Sequence, residues 1–225
     1  DADKTSLKAL NEQDAALSAK YISLLLAAAK EAALVVGDVA ELTGLSKDEI
    51  DAAVLAAKSR GLDGKWLIPL VNTTQHPMLP SLTNRATREK LFRASWMRTE
   101  RGDANDTRKT IATLADLRAR KAGLLGYPNF AAWVLEDQMA KTPSAVDQFL
   151  ARLIPPATAN ARSEAIAIQK LIDEQRGGIR LAPWDWDFYA EQVRKAKYDL
   201  DNAALAPYFE LDRVLRDGAF YAARE

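Results

Sequence analysis

The sequence predicts a mainly α fold: an elongated multi-helix domain with at most one or two short strands. Three observations carry this. Ala, Leu, Lys, Arg, Glu and Asp dominate, and apolar residues recur at the spacing of a helix face. The stripes run long, the first from about Thr5 to Ala33. Only Gly64–Asn72 (GKWLIPLVN) is both apolar and β-prone.

In the first stripe, Leu7, Leu10, Ala16, Leu17, Tyr21, Leu24 and Leu25 share a face, with Lys8, Glu12, Asp14 and Lys20 off it. Val35-Val36 before Gly37 reads as a short extended exit. Ser46-Lys47-Asp48-Glu49 is a capping box. The serine hydroxyl accepts from the N3 amide and the glutamate reaches back to the serine amide. It opens a helix to about Arg60, closed by Gly61. Pro69 demotes the β-prone stretch to an edge strand. Its partner is either Val35-Val36 or polypeptide outside this chain.

Pro80-Ser81 open the next helix, which carries Leu82, Arg85, Arg88, Leu91, Phe92 and Trp96 to about Arg98. Gly102–Asp106 is a turn, and Asp106 reads as the N-cap of a helix from Thr107 to about Leu125. The inner stripe of that helix is Ile111, Leu114, Leu117 and Leu124-Leu125. Asn129 caps a short helix with Phe130, Trp133 and Met139. Thr142-Pro143 is a cap followed by proline at the first helical position. Pro155-Pro156 should kink or break that helix near Ile154, before it resumes to about Gln175 and stops at Gly177-Gly178. Asp185 reads as the N-cap of a helix to about Leu200. Pro207 restarts the chain into a last helix, still amphipathic at Phe220-Tyr221 and without a stop signal at Glu225. No domain boundary is apparent, so residues 1–225 read as a single helical segment.

Composition excludes whole classes of function. The 225 residues hold 31 Lys plus Arg against 31 Asp plus Glu, so no global field draws in nucleic acid or anionic lipid. Without cysteine there is no disulfide, zinc finger, iron–sulfur cluster or thiol nucleophile. The single histidine, His76, cannot form a site needing several imidazoles. The most apolar run, Ile22 to Val36, is interrupted by Lys30 and Glu31 and is too short to span a bilayer. The first residues lack the features of a signal peptide and an initiator Met, and read as a processed or cut end.

A few constellations invite chemistry. His76 could serve as a general base or ligand, but it has no spaced partner and reads as a loop histidine. Asp103 and Asp106 loosely suggest a calcium loop. Yet the twelfth position from Asp103 is Leu114, not Glu, so a turn and helix cap fits better. Trp184-Asp185-Trp186-Asp187 could form a carbohydrate or acid/base site, but reads as a cap with buried indoles, and so does Trp133–Asp137. Arg85, Arg88, Lys90, Arg93, Arg98 and Arg101, beside Phe92 and Trp96, suggest nucleic acid. Interleaved Glu89, Glu100, Asp103 and Asp106 favour a solvated or salt-bridged helix face. Phosphate-binding glycine loops and the G-x-S-x-G elbow are absent. Spacing alone names no reaction.

Several segments, in order along nearly the whole chain, resemble the thimet-oligopeptidase-like zinc metallopeptidases, most nearly their bacterial peptidyl-dipeptidase branch. They are Leu67–Leu70 with Asn72–Gln75, Leu82–Arg85, Arg98–Arg108, Leu124–Ala131, Leu135–Ala140, and Trp184–Tyr189 continuing to Leu200. The resemblance implies an almost all-helical, two-lobed enzyme enclosing a peptide channel, which releases C-terminal dipeptides from short peptides. It also implies zinc held by an H-E-x-x-H helix and a further Glu, with the motif Glu polarising water.

No H-E-x-x-H occurs here, so no catalytic or metal role is carried to any position, and His76 matches no ligand. The substrate-binding residues stay unassigned. The expectation is an internal fragment that supplies scaffold and channel wall, is inactive alone and binds no zinc by itself. It would need the missing C-terminal catalytic portion, with short peptides as substrates of the whole enzyme and neither nucleic acid nor membrane as partner. The cytoplasm of a bacterium is the expected compartment, the periplasm the alternative. A segment of this kind would leave apolar surface unpartnered on its last helix and its lone strand. The rival reading is a free-standing helical protein-binding module without catalysis.

Overall fold

Helix starts are set by side-chain oxygens on free amides. In the computed structural model, which describes residues 2–71, 76–175, 177–198 and 205–224, Ser46 caps α2 (Lys47–Lys58) with the full capping box. Asn84 caps α3 (Arg85–Trp96), Asn129 caps α5 (Phe130–Leu135) and Thr142 caps α6 (Pro143–Glu174). The longest helices are α1 (Ala2–Glu31) and α6, with 30 and 32 residues. The fold is mainly helical, as expected, and its described strands form one two-stranded sheet.

That sheet joins β1 (Leu34–Val36) to β2 (Trp66–Ile68) antiparallel, pairing Leu34 with Ile68 and Val36 with Trp66. The β-prone stretch therefore has its partner within the chain and is no lone strand. Val36 and Ile68 enter a core with Leu42, Leu45, Leu79, Leu82 and Leu91, against which Phe92 packs. Beside it, α1 lies along α4 (Arg108–Leu124), burying Leu10 and Ala28 against a face holding Leu114, Leu117 and Ala122. A second, smaller core joins Ile168 and Ile172 of α6 to Tyr189 of α7 (Trp186–Tyr198).

Several expected boundaries move. The third helix starts after Asn84 rather than at Pro80-Ser81, because the Asn84 carboxamide accepts the Thr87 amide at 3.1 Å. Thr107, not Asp106, is the N-cap of α4, although Asp106 still accepts the Arg108 amide at 3.0 Å. Asp14 is not off the inner face of α1. It pairs with Arg118 at 3.3 Å and Lys121 at 3.5 Å on α4. Ile111 is 48% exposed, since it stands at the rim of an open groove between α1 and α4, with Tyr21 and Phe130.

The largest departure is α6, which runs unbroken through Pro155 and Pro156. Each interior proline removes an amide donor and costs about 3 kcal/mol. The freed carbonyls sit where every residue from 147 to 164 is exposed, so water can hydrate them. The final run is not one regular helix. A 3₁₀ turn (Ala206–Phe209) precedes α (Leu211–Arg213), π (Val214–Ala219) and α (Phe220–Ala222) turns. Its large apolar side chains, Phe209, Leu211 and Tyr221 among them, are exposed, as expected for that segment. The expected helix end near Leu200 and the segment Asn72–Gln75 lie outside the described residues.

One glycine is required by close approach. Gly44 has φ +98°, and a Cβ there would stand 2.0 Å from the Ser81 carbonyl oxygen. The adjoining Thr43 carbonyl accepts both the amide and the hydroxyl of Thr83 at 2.9 Å, which locks the two loops together. Gly44→Ala should therefore cost roughly 2–4 kcal/mol of stability. A shift in denaturation midpoint at constant m-value measures it, and an unchanged midpoint would refute the close contact.

Candidate functional site

The charged and aromatic residues singled out in the sequence converge where α3 meets the turn before α7. A 3₁₀ turn at Pro183–Asp185 carries Asp185 into the interior, where it is 0% exposed. Arg85 and Arg88, one helical turn apart on α3, both reach it. Arg85 Nε lies 3.0 and 3.1 Å from the two carboxylate oxygens and Nη2 lies 2.8 Å from one of them. Arg88 Nη2 donates to Asp185 Oδ1 at 3.0 Å, and its Nη1 donates to the carbonyls of Leu82 and Thr83 at 2.8 and 3.1 Å. Asp185 also accepts the Ala182 amide at 3.2 Å.

Aromatic faces complete the cluster. The Arg88 guanidinium stands 4.2 Å from the Phe188 ring centroid. Arg85 and Arg93 stand 5.6 and 5.0 Å from that of Trp184, and Phe92 stacks on Trp96 at 5.5 Å. Such contacts favour a cation that has lost its water. Burial alone would raise the Asp185 carboxyl, but the hydrogen bonds from Arg85 and Arg88 outweigh it and hold it below its ordinary value. Nearby Asp187 lacks such help, and burial pushes its carboxyl up.

Asp185 is therefore not the N-cap of α7 but the centre of a clasp between the two cores. Its partners lie 97 and 100 residues away in sequence, beyond local pattern reading. A signal was present in α3, where Arg85 and Arg88 interrupt the apolar stripe that Leu82, Leu91 and Phe92 define. A charge at a stripe position needs an internal counter-ion. The rest of the basic set is also paired: Lys90 with Glu41, Arg93 with Glu89, and Arg101 with Asp103, while Arg98 donates to the Ser95 carbonyl. The salt-bridged reading stands, except that Arg88 is buried rather than solvated.

His76 is likewise buried, at 3% exposure, and not a partnerless loop residue. Its Nε2 lies 3.1 Å from the Pro69 carbonyl, so this nitrogen carries the proton, and Nδ1 has no partner among the described residues. In the 102–106 turn, Asp103 accepts the Asn105 amide and Asp106 the Gly102 amide, while Asn105 donates to Glu31 at 2.7 Å. Arg108 beside Asp106 holds that carboxyl far below the usual range. The turn is thus a structural hinge-pin rather than a calcium loop. Trp133–Asp137 spans the end of α5, not its start. Glu136 is the C-cap and accepts the Tyr127 hydroxyl, and Lys121 sits over Trp133 at 5.0 Å.

Among the described residues no group of three His, Cys, Asp or Glu converges as a metal site needs. The imidazole is engaged with Pro69 and the buried carboxylate with two guanidinium groups, so these residues do not fit a zinc site. An open groove of about 530 Å³ lies between α6 and α7, with Glu164, Trp186, Arg194 and Tyr198 on its walls. No described helix is long and apolar enough to cross a membrane.

Asp185→Asn leaves two guanidinium groups facing a neutral amide and should cost roughly 3–5 kcal/mol. Because the folded carboxyl is more acidic than the unfolded one, the clasp's contribution is full above about pH 4 and fades as pH falls through the folded value. Urea titrations of both proteins at neutral pH measure the loss, and equal midpoints would refute the clasp. Burial pushes the His76 imidazole down, against the Pro69 hydrogen bond. The unfolded chain then takes up a proton first as pH falls below about 6.5, so stability declines from there toward the folded value. His76→Gln should flatten this slope in melts between pH 7 and 5, and an unchanged slope would point to another group.

Residues 78–225 match the profile of Peptidase family M3. The chain is 53% identical over 224 residues to a dipeptidyl carboxypeptidase of Escherichia coli (strain K12), covering 100% of this chain and 33% of that protein. It is 49% identical over 223 residues to the dipeptidyl carboxypeptidase of Salmonella typhimurium, covering 99% of this chain and 33% of the relative. To an oligopeptidase A of Haemophilus influenzae it is 32% identical over 180 residues, 78% of this chain and 26% of the other. The chain spans about a third of the length of the dipeptidyl carboxypeptidases it matches. The family is in general one of zinc metallopeptidases. On the profile match and the whole-chain identity together, this chain belongs to Peptidase family M3.

Proposed function

We propose that this chain is a helical, non-catalytic segment of a zinc-dependent peptidyl-dipeptidase, an oligopeptidase that removes C-terminal dipeptides from short peptides. The observation that carries this is its 53% identity, along its full length, to one third of a dipeptidyl carboxypeptidase. In this reading residues 1–225 form one helical unit, none of them is catalytic and none ligates zinc. The metal ligands belong to polypeptide outside the aligned third.

The geometry supports a scaffold. Long helices α1 and α6 make stiff walls about 45 and 48 Å long. The Asp185 clasp fixes the angle between the cores they flank. An enclosure of rigid helices limits substrates to peptides without folded bulk. The basic residues of α3 are spent on internal partners, which speaks against nucleic acid as a ligand. The expected compartment is the cytoplasm of a bacterium, with the periplasm as the alternative, and the relatives from Escherichia coli and Haemophilus influenzae support the bacterial part of that expectation. One observation favours the rival binding module: the exposed apolar residues of α6 and the final run could receive a protein.

The intact protein should release dipeptides from a short peptide, lose activity to a metal chelator and recover it with zinc. The 225-residue chain alone should release none. Chelator-sensitive dipeptide release by that chain alone would overturn the assignment. A gene product of 24.8 kDa that binds a folded protein would favour the module instead.

A further inference from the structure

The middle of α6 is built to be covered. Every residue from 147 to 164 is exposed, yet the sequence there is not that of a solvated rod. Phe149, Leu150, Leu153 and Ile154 recur at the spacing of one helix face and are 53, 45, 48 and 58% exposed. Gln148, Arg152, Ala159 and Arg162 occupy the opposite face. This is the pattern of a helix that buries a stripe against a partner.

The backbone makes the same demand. Pro155 and Pro156 provide no amide hydrogens, so the carbonyls of Ala151 and Arg152 lack their helical donors. An isolated helix gains little from propensity alone and depends on packing of its apolar face. A solvated helix with two interior prolines hydrates its freed carbonyls but does not otherwise offset the cost of the prolines. A packed one does, and a partner can donate to the freed carbonyls.

We infer that the 146–157 face of α6 is an intramolecular docking surface for the part of the parent polypeptide that lies outside the aligned third. The length outside the structure argues for this occupant. Relatives aligned to the whole of this chain extend to about three times its length, so two-thirds of such a protein must pack somewhere. Neither described core uses the stripe, since α6 enters the second core near its other end, through Ile168 and Ile172 with Leu171 packed against them. The partner it fits is an apolar protein surface carrying one or two hydrogen-bond donors. This inference rests on the proposed function only in taking a longer parent chain to exist.

Amide exchange on the intact protein tests it without reference to activity. Residues 147–164 should exchange as slowly as the buried turn around Ile168 and Ile172, at every protein concentration. Leu153→Glu should speed exchange across the segment at least tenfold and lower the melting temperature by several degrees, whereas Ala159→Glu on the opposite face should do neither. Fast exchange in the wild-type protein overturns the docking surface, and so does equal tolerance of both substitutions. Protection that appears only as concentration rises overturns it in favour of a second copy. If Leu153→Glu does not fold, the wild-type exchange result decides alone. An intact mass of 24.8 kDa instead refutes the longer parent chain, which separates failure of the functional reading from failure of the surface.

Discussion

One carboxylate with two guanidinium partners holds the described structure in register. Without Asp185, α3 and the turn before α7 would meet through Trp184, Phe92 and a few apolar side chains, contacts that tolerate sliding. A buried ion pair is not in itself a large source of stability, because desolvation takes back much of the attraction. Its value here is directional. The Arg85 fork and Arg88 Nη2, one turn apart on α3, meet the two carboxylate oxygens while the Ala182 amide holds the carboxylate from its own turn, so the placement of α3 against that turn is fixed. Phe188 and Trp184 then receive the planar faces of the same cations. The two cores can remain separate because this clasp fixes how they stand.

Local chemistry was readable and distant chemistry was not. The caps at Ser46, Asn129 and Thr142 depend on residues within three positions, and sequence reading found them. The β-prone stretch was found too, and one of its two candidate partners proved to be the neighbour in the sheet. The errors share a cause. Asp185 was assigned to a cap because a carboxylate before a helix usually is one, and its true partners stand on another helix. Asp14 reads as off the apolar stripe because its counter-ions, Arg118 and Lys121, belong to α4. His76 gave no sign of burial, since the carbonyl that holds it sits after an unremarkable extended segment.

Recognition of the family came from ordered motifs rather than from a reaction centre. A peptidase is ordinarily identified by the atoms that cut, whereas the resemblance here is carried by segments without an H-E-x-x-H motif. Two of the segments that carry the resemblance have packing roles in this chain: Trp184–Tyr189 builds the clasp, and Leu124–Ala131 turns α4 into α5.

The two helix junctions differ in how deeply their charges are sunk. At the clasp Asp185 and Arg88 are 0 and 2% exposed at the side chain and Arg85 alone reaches solvent, at 38%, whereas Asp14 and Arg118 are both open, at 19 and 37%. The screening length falls from about 10 Å at 0.1 M salt to about 3 Å at 1 M, so concentrated salt weakens exposed pairs even at contact distance but scarcely reaches buried ones. Salt therefore acts on this protein unevenly. Concentrated electrolyte loosens the seam between the first long helix and its neighbour while leaving the central joint stiff, so ionic strength serves as a selective solvent for one seam of the scaffold.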